Sequence, residues 1–342
     1  MIILTNCMTP KADEGALKVA CSLIRRLKRS TCDTALWTYE RPSEEADCHL
    51  KLGKLFLSFK LWRLLRKRKE KVLYAPFPTG MLPMALRVYV LSKMCRKNLT
   101  VLVSMQASPS KLGAWLLRRS KACVAVLSPE ARAYYEQAGV PVVHLHTGVD
   151  TKRFQPVTAE EKRALRQKYG VPADRTVVLH VGHLKAGRNV SVFLNLPAEF
   201  HGVLVTSSFT AQQQDEALKE ALMKQKNMTL TDTYQEHIEQ WYQLADVYLF
   251  PVTEAGNCID TPLSALEAAA CGVPVVATAY GELQCLMEEK GFYKIENLED
   301  DILHPLLAQA AKQQKSPRQA VVPYDWDNAV RFLQESRKEV LG

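Results

Sequence analysis

CIDTPLSALEAAACGVPVVAT, residues 258–278, packs a helix start, one internal carboxylate, a glycine stop and a β-branched run into a single short stretch. Thr261-Pro262 reads as the helix start, with Thr as the cap and Pro at the first helical position. Gly272 and Pro274 stop that helix after roughly three turns. The run that follows is a buried strand. Ser264 and Glu267 are three apart and share a face, and Asp260 sits just ahead of the cap. The N–H groups of Leu263 and Ser264 point out of the helix start, where a diphosphate docks readily. One turn deeper, Glu267 either accepts hydrogen bonds from a paired diol such as ribose or simply offsets the helix dipole.

Outward from this stretch, the same strand-then-helix grammar repeats. "MIILTN" leads through "CMTPKADEG" to the helical "ALKVACSLIRRLKR", and "KVLYAPF", "NLTVLVSM" and "ACVAVLS" each precede a helical segment. A polar stretch with Gly148, Asp150 and Pro156 separates these from "AEEKRALRQKYG" and a second series: "TVVLHVG", "HGVLVTS", "NMTLTD", "ADVYLFP", "GVPVVAT". Alternation of this kind predicts an α/β chain with parallel sheets covered on both faces. The hinge falls near 150–158. The expected domains are 1–152, 153–324 and a closing segment 325–342, whose helix carries Ala329, Phe332 and Leu333 on one stripe.

A chain of 342 residues fits two domains rather than one core. Residues 1–125 hold 24 Lys+Arg against 8 Asp+Glu, while residues 126–342 hold 21 against 28. The basic front half predicts an anionic surface or substrate there. Nine scattered cysteines without a CxxC pair read as reduced thiols of a cytosolic protein. The first residues lack a basic n-region and break at Pro10, so no signal peptide is expected. No apolar run reaches the ~20 residues a membrane span needs.

"YQLADVYLFPVTEAGNCIDTPLSALEAAACGVPVVAT" resembles the nucleotide-sugar site of retaining GT-B glycosyltransferases of family GT4. "HTGVDTKRFQP" is similar to the hinge signature of that family. "VLHVGHLKAGRNV" is similar to its Val-Gly-Arg-Leu…Lys-Gly loop, and "YDWDNAV" to the start of its closing helix. The resemblance implies two Rossmann-like domains facing across a cleft, with the C-terminal helix crossing back to the first. It implies an acceptor-binding first domain, a nucleotide-sugar-binding second domain, and retaining transfer to a glycan or lipid-linked acceptor in cell-surface polysaccharide or glycolipid synthesis. No cofactor and no metal are expected. Several positions depart from the family pattern. Aligning Glu267 with the second family glutamate puts Ile259 where the first belongs, with Asp260 or Glu254 as the replacement carboxylate. His183 takes the usual arginine place, Arg188 the usual lysine place, and Gln106 that of a histidine. These departures keep a second reading open, a catalytically silent GT-B protein that binds nucleotide sugar or membrane as a regulator. A third is a GT-B sugar-nucleotide epimerase.

Under the transferase reading the departing diphosphate most needs help, and fixed positive charge supplies it. Arg188 is the first choice because a guanidinium stays protonated and grips phosphate in fork geometry. Lys185 and His183 assist, and Gln106 donates to the donor sugar. Gly15 lets a helix N-terminus approach the phosphate or acceptor without a Cβ in the way, and Gly182 is counted among the donor-binding residues. The plainer readings are a solvated loop charge for Arg188, a structural imidazole for His183 and an ordinary turn for Gly15. "DWD", Asp325 to Asp327, reads as helix capping rather than a metal motif, and "HLH", His144 and His146, lacks an obvious third ligand.

"LKLGKLFLSFKLWRLLRKRKEK", residues 50–71, carries nine Lys/Arg against one Glu. Leu52, Leu55, Phe56, Phe59 and Trp62 follow helical spacing, with Lys51, Lys54, Arg63, Arg66 and Lys67 around them. This is either an interfacial helix on an anionic membrane or a core-packed helix with a solvated basic end. The first option places the protein in the cytoplasm, peripheral on the inner face of the membrane. No recognition motif accompanies the charge, so nucleic acid is not expected as a partner.

Overall fold

The computed structural model describes residues 1–9, 15–30, 33–66, 70–77, 80–95, 99–104, 110–206, 215–254, 256–313 and 315–335. Gln106 and Lys67 lie outside them. The chain forms two compact units, one of residues 1–147 with 326–342, the other of residues 148–325. Among the described residues, no helix is long and apolar enough to cross a membrane.

The first unit begins β1 (Ile2–Thr5), α1 (Gly15–Ser30), β2 (Ala35–Tyr39), β3 (Cys48–Leu50), α2 (Phe59–Arg66), β4 (Val72–Ala75) and α3 (Met81–Met94). It continues with β5 (Leu99–Leu102), α4 (Lys111–Ser120), β6 (Cys123–Val126), α5 (Pro129–Gln137) and β7 (Val142–His144). All strand pairs are parallel, in the order β3-β2-β1-β4-β5-β6-β7. Strands of this kind are buried on both faces, which is why Ile2–Thr5 is buried at every position.

The second unit contains α6 (Ala159–Tyr169), β8 (Thr176–Val181), β9 (Phe200–Val205), α7 (Glu216–Met223), β10 (Met228–Thr231) and α8 (Ile238–Leu244). β11 (Val247–Phe250), α9 (Leu263–Ala270), β12 (Val275–Ala277), β13 (Phe292–Lys294), α10 (Asp300–Gln313) and α11 (Arg318–Val321) complete it. Its sheet, also parallel, runs β10-β9-β8-β11-β12-β13. A capping box between Thr158 and Glu161 starts α6.

After Asp325 the chain returns to the first unit as α12 (Trp326–Glu335). Its buried residues are Trp326, Ala329, Val330 and Leu333, spaced i, i+3, i+4, i+7. Phe332, expected on the buried stripe, faces outward, because it lies one residue off that period. α12 packs on α1. Arg26 lies 3.6 Å from Asp327 and over the Trp326 ring, while the Gln334 amide donates to the Ser30 hydroxyl. Asp325, the other carboxylate of "DWD", accepts from the Thr151 N–H at 2.9 Å and from its hydroxyl.

The basic stretch 50–71 is not one helix. Leu50 ends β3, paired with Tyr39, and among the described residues of this stretch only Phe59–Arg66 is helical. Tertiary packing overrides the local period here. Phe56 takes φ 59 and buries its ring edge-on against Tyr39 and Tyr74, at 4.8 and 5.7 Å. That turns the chain before Ser58, whose hydroxyl accepts the Leu61 N–H and starts α2.

One carboxylate ties the second unit together. Asp246 accepts from Lys162 Nζ at 2.6 Å, from Arg166 Nη2 at 2.6 Å and from the Val177 N–H at 2.8 Å. Burial pushes its pKa up, but the Lys162 and Arg166 charges and the Val177 N–H outweigh that and hold it below the usual carboxylate range. Arg166 itself is buried and also donates to the Leu244 carbonyl. Removing one partner of such a pair strands a buried charge. Asp246→Ala is therefore expected to cost about 3–5 kcal/mol in urea unfolding of the full chain. In the wild type the contribution of Asp246 is full above its unfolded value and is lost as pH falls through its lowered folded value.

Candidate functional site

In an open parallel sheet, ligands bind at the carboxyl ends of the strands where strand order reverses. In the second unit that point is β8 against β11, since β9 and β10 run off one side of β8 and β12 and β13 off the far side of β11. The loop leaving β8 carries Gly182, His183, Lys185 and Arg188. The loop leaving β11 carries Glu254, Ile259, Asp260 and Thr261 and ends in α9. Both sequence-predicted loops thus meet at one place.

The β8 loop is fixed rather than open. Residues 186–188 form a turn of 3-10 helix, closed by the Arg188 N–H to the Lys185 carbonyl at 2.9 Å. The Arg188 Nε–H donates to the Asn257 carbonyl at 3.0 Å, and the Asn189 amide donates to Pro251 and Thr253, both at 2.9 Å. These bonds lock the two loops together. Gly182 leaves space that Arg188 uses, because a Cβ there would meet the Arg188 guanidinium and lie 3.0 Å from His180 Nε2. Lys185 is exposed, while His183 and Arg188 are half-buried.

The β11 loop is held from the other side. The Tyr280 hydroxyl donates to the Cys258 carbonyl at 2.7 Å, and the Glu282 N–H donates to the Asp260 carbonyl at 2.8 Å. Ile259 is buried, Asp260 is half-buried, and Glu254 is exposed with one oxygen accepting from the Asn257 amide at 3.3 Å.

α9 starts one residue later than expected. Pro262 is the N-cap, at φ −66 and ψ 95, and its carbonyl takes the Ala265 N–H at 3.1 Å. Thr261 is fully buried ahead of the cap and is not the cap. A proline N-cap has no side-chain acceptor, so Pro262 itself offers the N–H groups of this helix start no side-chain cap. The helix ends at Cys271, two turns on, and Gly272 follows at φ 79, the left-handed stop. Glu267 is buried, and one of its oxygens accepts from the Tyr242 hydroxyl at 2.9 Å. Burial and the Glu267 charge push the Tyr242 phenol far above its ordinary range, so it remains the donor. Gly15 belongs to the first unit, as the first residue of α1.

Three contributors went unnoticed in the sequence: Asn257, Tyr242 and His180. His180 is fully buried at the penultimate position of β8, with Nδ1 2.9 Å from the Leu249 carbonyl. Its Nε2 is buried without a hydrogen-bond partner. Burial lowers its pKa to about 4, with Arg188 and His183 adding to the effect.

Comparison with known proteins gives these features a setting. The family model described as glycosyl transferases group 1 matches residues 175–308. The chain is similar to the lipopolysaccharide core biosynthesis mannosyltransferase LpsB of Rhizobium meliloti (strain 1021). The two are 30% identical over 279 residues, which cover 76% of this chain and 74% of that protein. It is also similar to the D-inositol 3-phosphate glycosyltransferase of Xylanimonas cellulosilytica, 27% identical over 236 residues and 63% of this chain. The match spans only 56% of that relative's length. Among solved structures, Anabaena HepE in complex with UDP superposes with a TM-score of 0.78 at 16% identity, over 98% of this chain and 99% of that one.

The buried imidazole sets a pH signature. Below the unfolded value of 6.5 an unfolded chain takes up a proton that native His180 refuses until about pH 4. Stability should therefore fall as pH drops from 6.5 to 4, by about 3 kcal/mol from this group. The stability of the wild type relative to His180→Phe, read from unfolding curves across that window, should fall toward the acid end. Parallel curves would refute the assignment.

Proposed function

Because the chain belongs to the glycosyl transferases group 1 family, with its GT-B fold, we propose that it moves a sugar, with retention, from a nucleotide-sugar donor to a glycan or lipid-linked acceptor. The donor diphosphate sits at the carboxyl ends of β8 and β11. The observation that carries this reading is the placing of the Arg188 guanidinium at the switch point whose second loop runs into the start of α9.

Loss of a nucleoside diphosphate from the anomeric carbon leaves negative charge on the departing oxygens and oxocarbenium-like charge on the sugar. Arg188 meets the departing diphosphate with two parallel N–H groups, and the N–H groups of Leu263 and Ser264 add the positive end of the helix. Lys185 and His183 lie on the same loop and reinforce the charge, so the reading assigns no step to a metal. Glu267 takes the ribose, with Tyr242 fixing its carboxylate. Asp260 takes the place of the family carboxylate that Ile259 lacks, and faces the donor sugar. HepE, a neighbour in fold, was solved with UDP, which supports a nucleoside diphosphate as the donor's leaving group.

The acceptor side falls to the first unit, Gly15 included. Around α2, Leu57 and Phe59 are 73% and 76% exposed, beside Lys54, Lys60, Arg63 and Arg66. Phe59 stacks on Trp62 at 5.4 Å, and Arg66 lies 4.7 Å over the same indole. Apolar tips ringed by cations favour an anionic membrane surface on the cytoplasmic side, where a lipid-linked acceptor resides. Buried Ile259 favours the second reading, a silent nucleotide-sugar binder; donor hydrolysis or transfer by the purified protein excludes it.

Three measurements test the reading. In a thermal-shift screen of nucleoside diphosphates, the matching one at 100 times its Kd should add about 2.7 kcal/mol. Arg188→Ala should lower kcat on the order of 100-fold or more, and Glu267→Gln should mainly weaken nucleotide binding. Wild-type kinetics in both variants would remove the assignment. Anionic vesicles should bind the protein at low salt and neutral ones should not, with Leu57→Ser/Phe59→Ser abolishing the difference.

A further inference from the structure

Resting on the assignment of Arg188 to the donor diphosphate, we infer that His180 is a positioning residue, whose Nε2 lone pair docks the Arg188 guanidinium over Gly182. The first observation is an unfilled acceptor. His180 is fully buried and its Nδ1 faces the Leu249 carbonyl at 2.9 Å. A carbonyl only accepts, so Nδ1 carries the proton and Nε2 is a bare lone pair. That atom is buried and has no partner.

The second observation is what lies beside it. The space a Gly182 Cβ would take is occupied by the Arg188 terminal nitrogen, and His180 Nε2 is 3.0 Å from the same point. An acceptor-only nitrogen and a donor-only guanidinium therefore border one small space, which glycine leaves free. A third is how Arg188 is anchored: its Nε–H donates to the Asn257 carbonyl, which orients the guanidinium plane and leaves the His180 contact to the terminal nitrogens.

The ring is itself held, lying parallel to Tyr248 and edge-on to Phe193, with centroids 6.3 Å from each. A neutral imidazole at this place attracts the arginine, whereas a protonated one would repel it. A charge contributes to a transition state only as far as its position is fixed in advance. A short rotation of the guanidinium onto Nε2 supplies that fixing and satisfies a buried acceptor.

The test uses the full chain labelled with 15N-histidine, with His180 assigned by its loss in His180→Phe. In the ligand-free wild type the Nε2 resonance should show a hydrogen-bonded lone pair. It should shift toward the free value in Arg188→Met, which keeps the bulk but removes the donors. An unchanged resonance in Arg188→Met would overturn the inference and give the lone pair to a buried water. Kinetics supply a second arm. His180→Phe keeps the ring packing, so it should lower kcat by about tenfold or more with little change in donor KM, and His180→Gln should recover part of it. In the Arg188→Met background the His180→Phe effect should vanish. Full kcat in His180→Phe while Arg188→Met is impaired would also overturn the inference. Full turnover in Arg188→Met would instead fail the donor-site assignment, and the resonance would still decide whether the docking exists.

Discussion

The arrangement of the second unit depends on where the Asp246 carboxylate is held. It accepts hydrogen bonds from α6 through Lys162 and Arg166 and from β8 through the Val177 N–H, and it belongs to the residue just before β11. The two strands that flank the switch point are thereby registered at their amino ends. Strands are stiff over four to six residues, so a fixed amino end fixes the carboxyl end too. The loops leaving β8 and β11 inherit their separation from an ion pair at the opposite edge of the sheet.

At the carboxyl edge the same economy recurs on a smaller scale. The two loops are joined through Arg188–Asn257 and Asn189–Pro251, and the second is pinned by Tyr280 and Glu282. Little conformational freedom remains for a ligand to remove, which is what preorganised charge requires. The start of α9 takes no side-chain cap from its N-cap residue, Pro262.

Much of this was legible in the sequence because local chemistry and fold agreed. Alternating strand and helix patterns gave the two parallel sheets, and Gly272 marked the end of α9 correctly. Arg188 lies on the loop after β8 and Glu267 on the helix after β11, the placements that the strand-then-helix reading predicts. The failures share a cause. Residues 50–71 carry a helical period, yet Phe56 finds a better place under Tyr39 and Tyr74 than on a helix face. Thr261 has the composition of a cap, but the chain buries it and passes the role to Pro262. Phe332 and Val330 are both apolar, but only Val330 keeps the period that Trp326, Ala329 and Leu333 set. His180 lacked any local signal, since its interest lies in a lone pair left without a partner by burial.

The first unit is assembled from two distant parts of the chain. α12 covers α1 with Trp326, Ala329, Val330 and Leu333, yet it is encoded after the whole of the second unit. During translation, α1 must wait with its outer flank bare while every residue from 148 to 325 leaves the ribosome. The second unit is contiguous and can mature as it emerges. Nascent chains should therefore engage chaperones through the early half, and release should coincide with the arrival of the last helix.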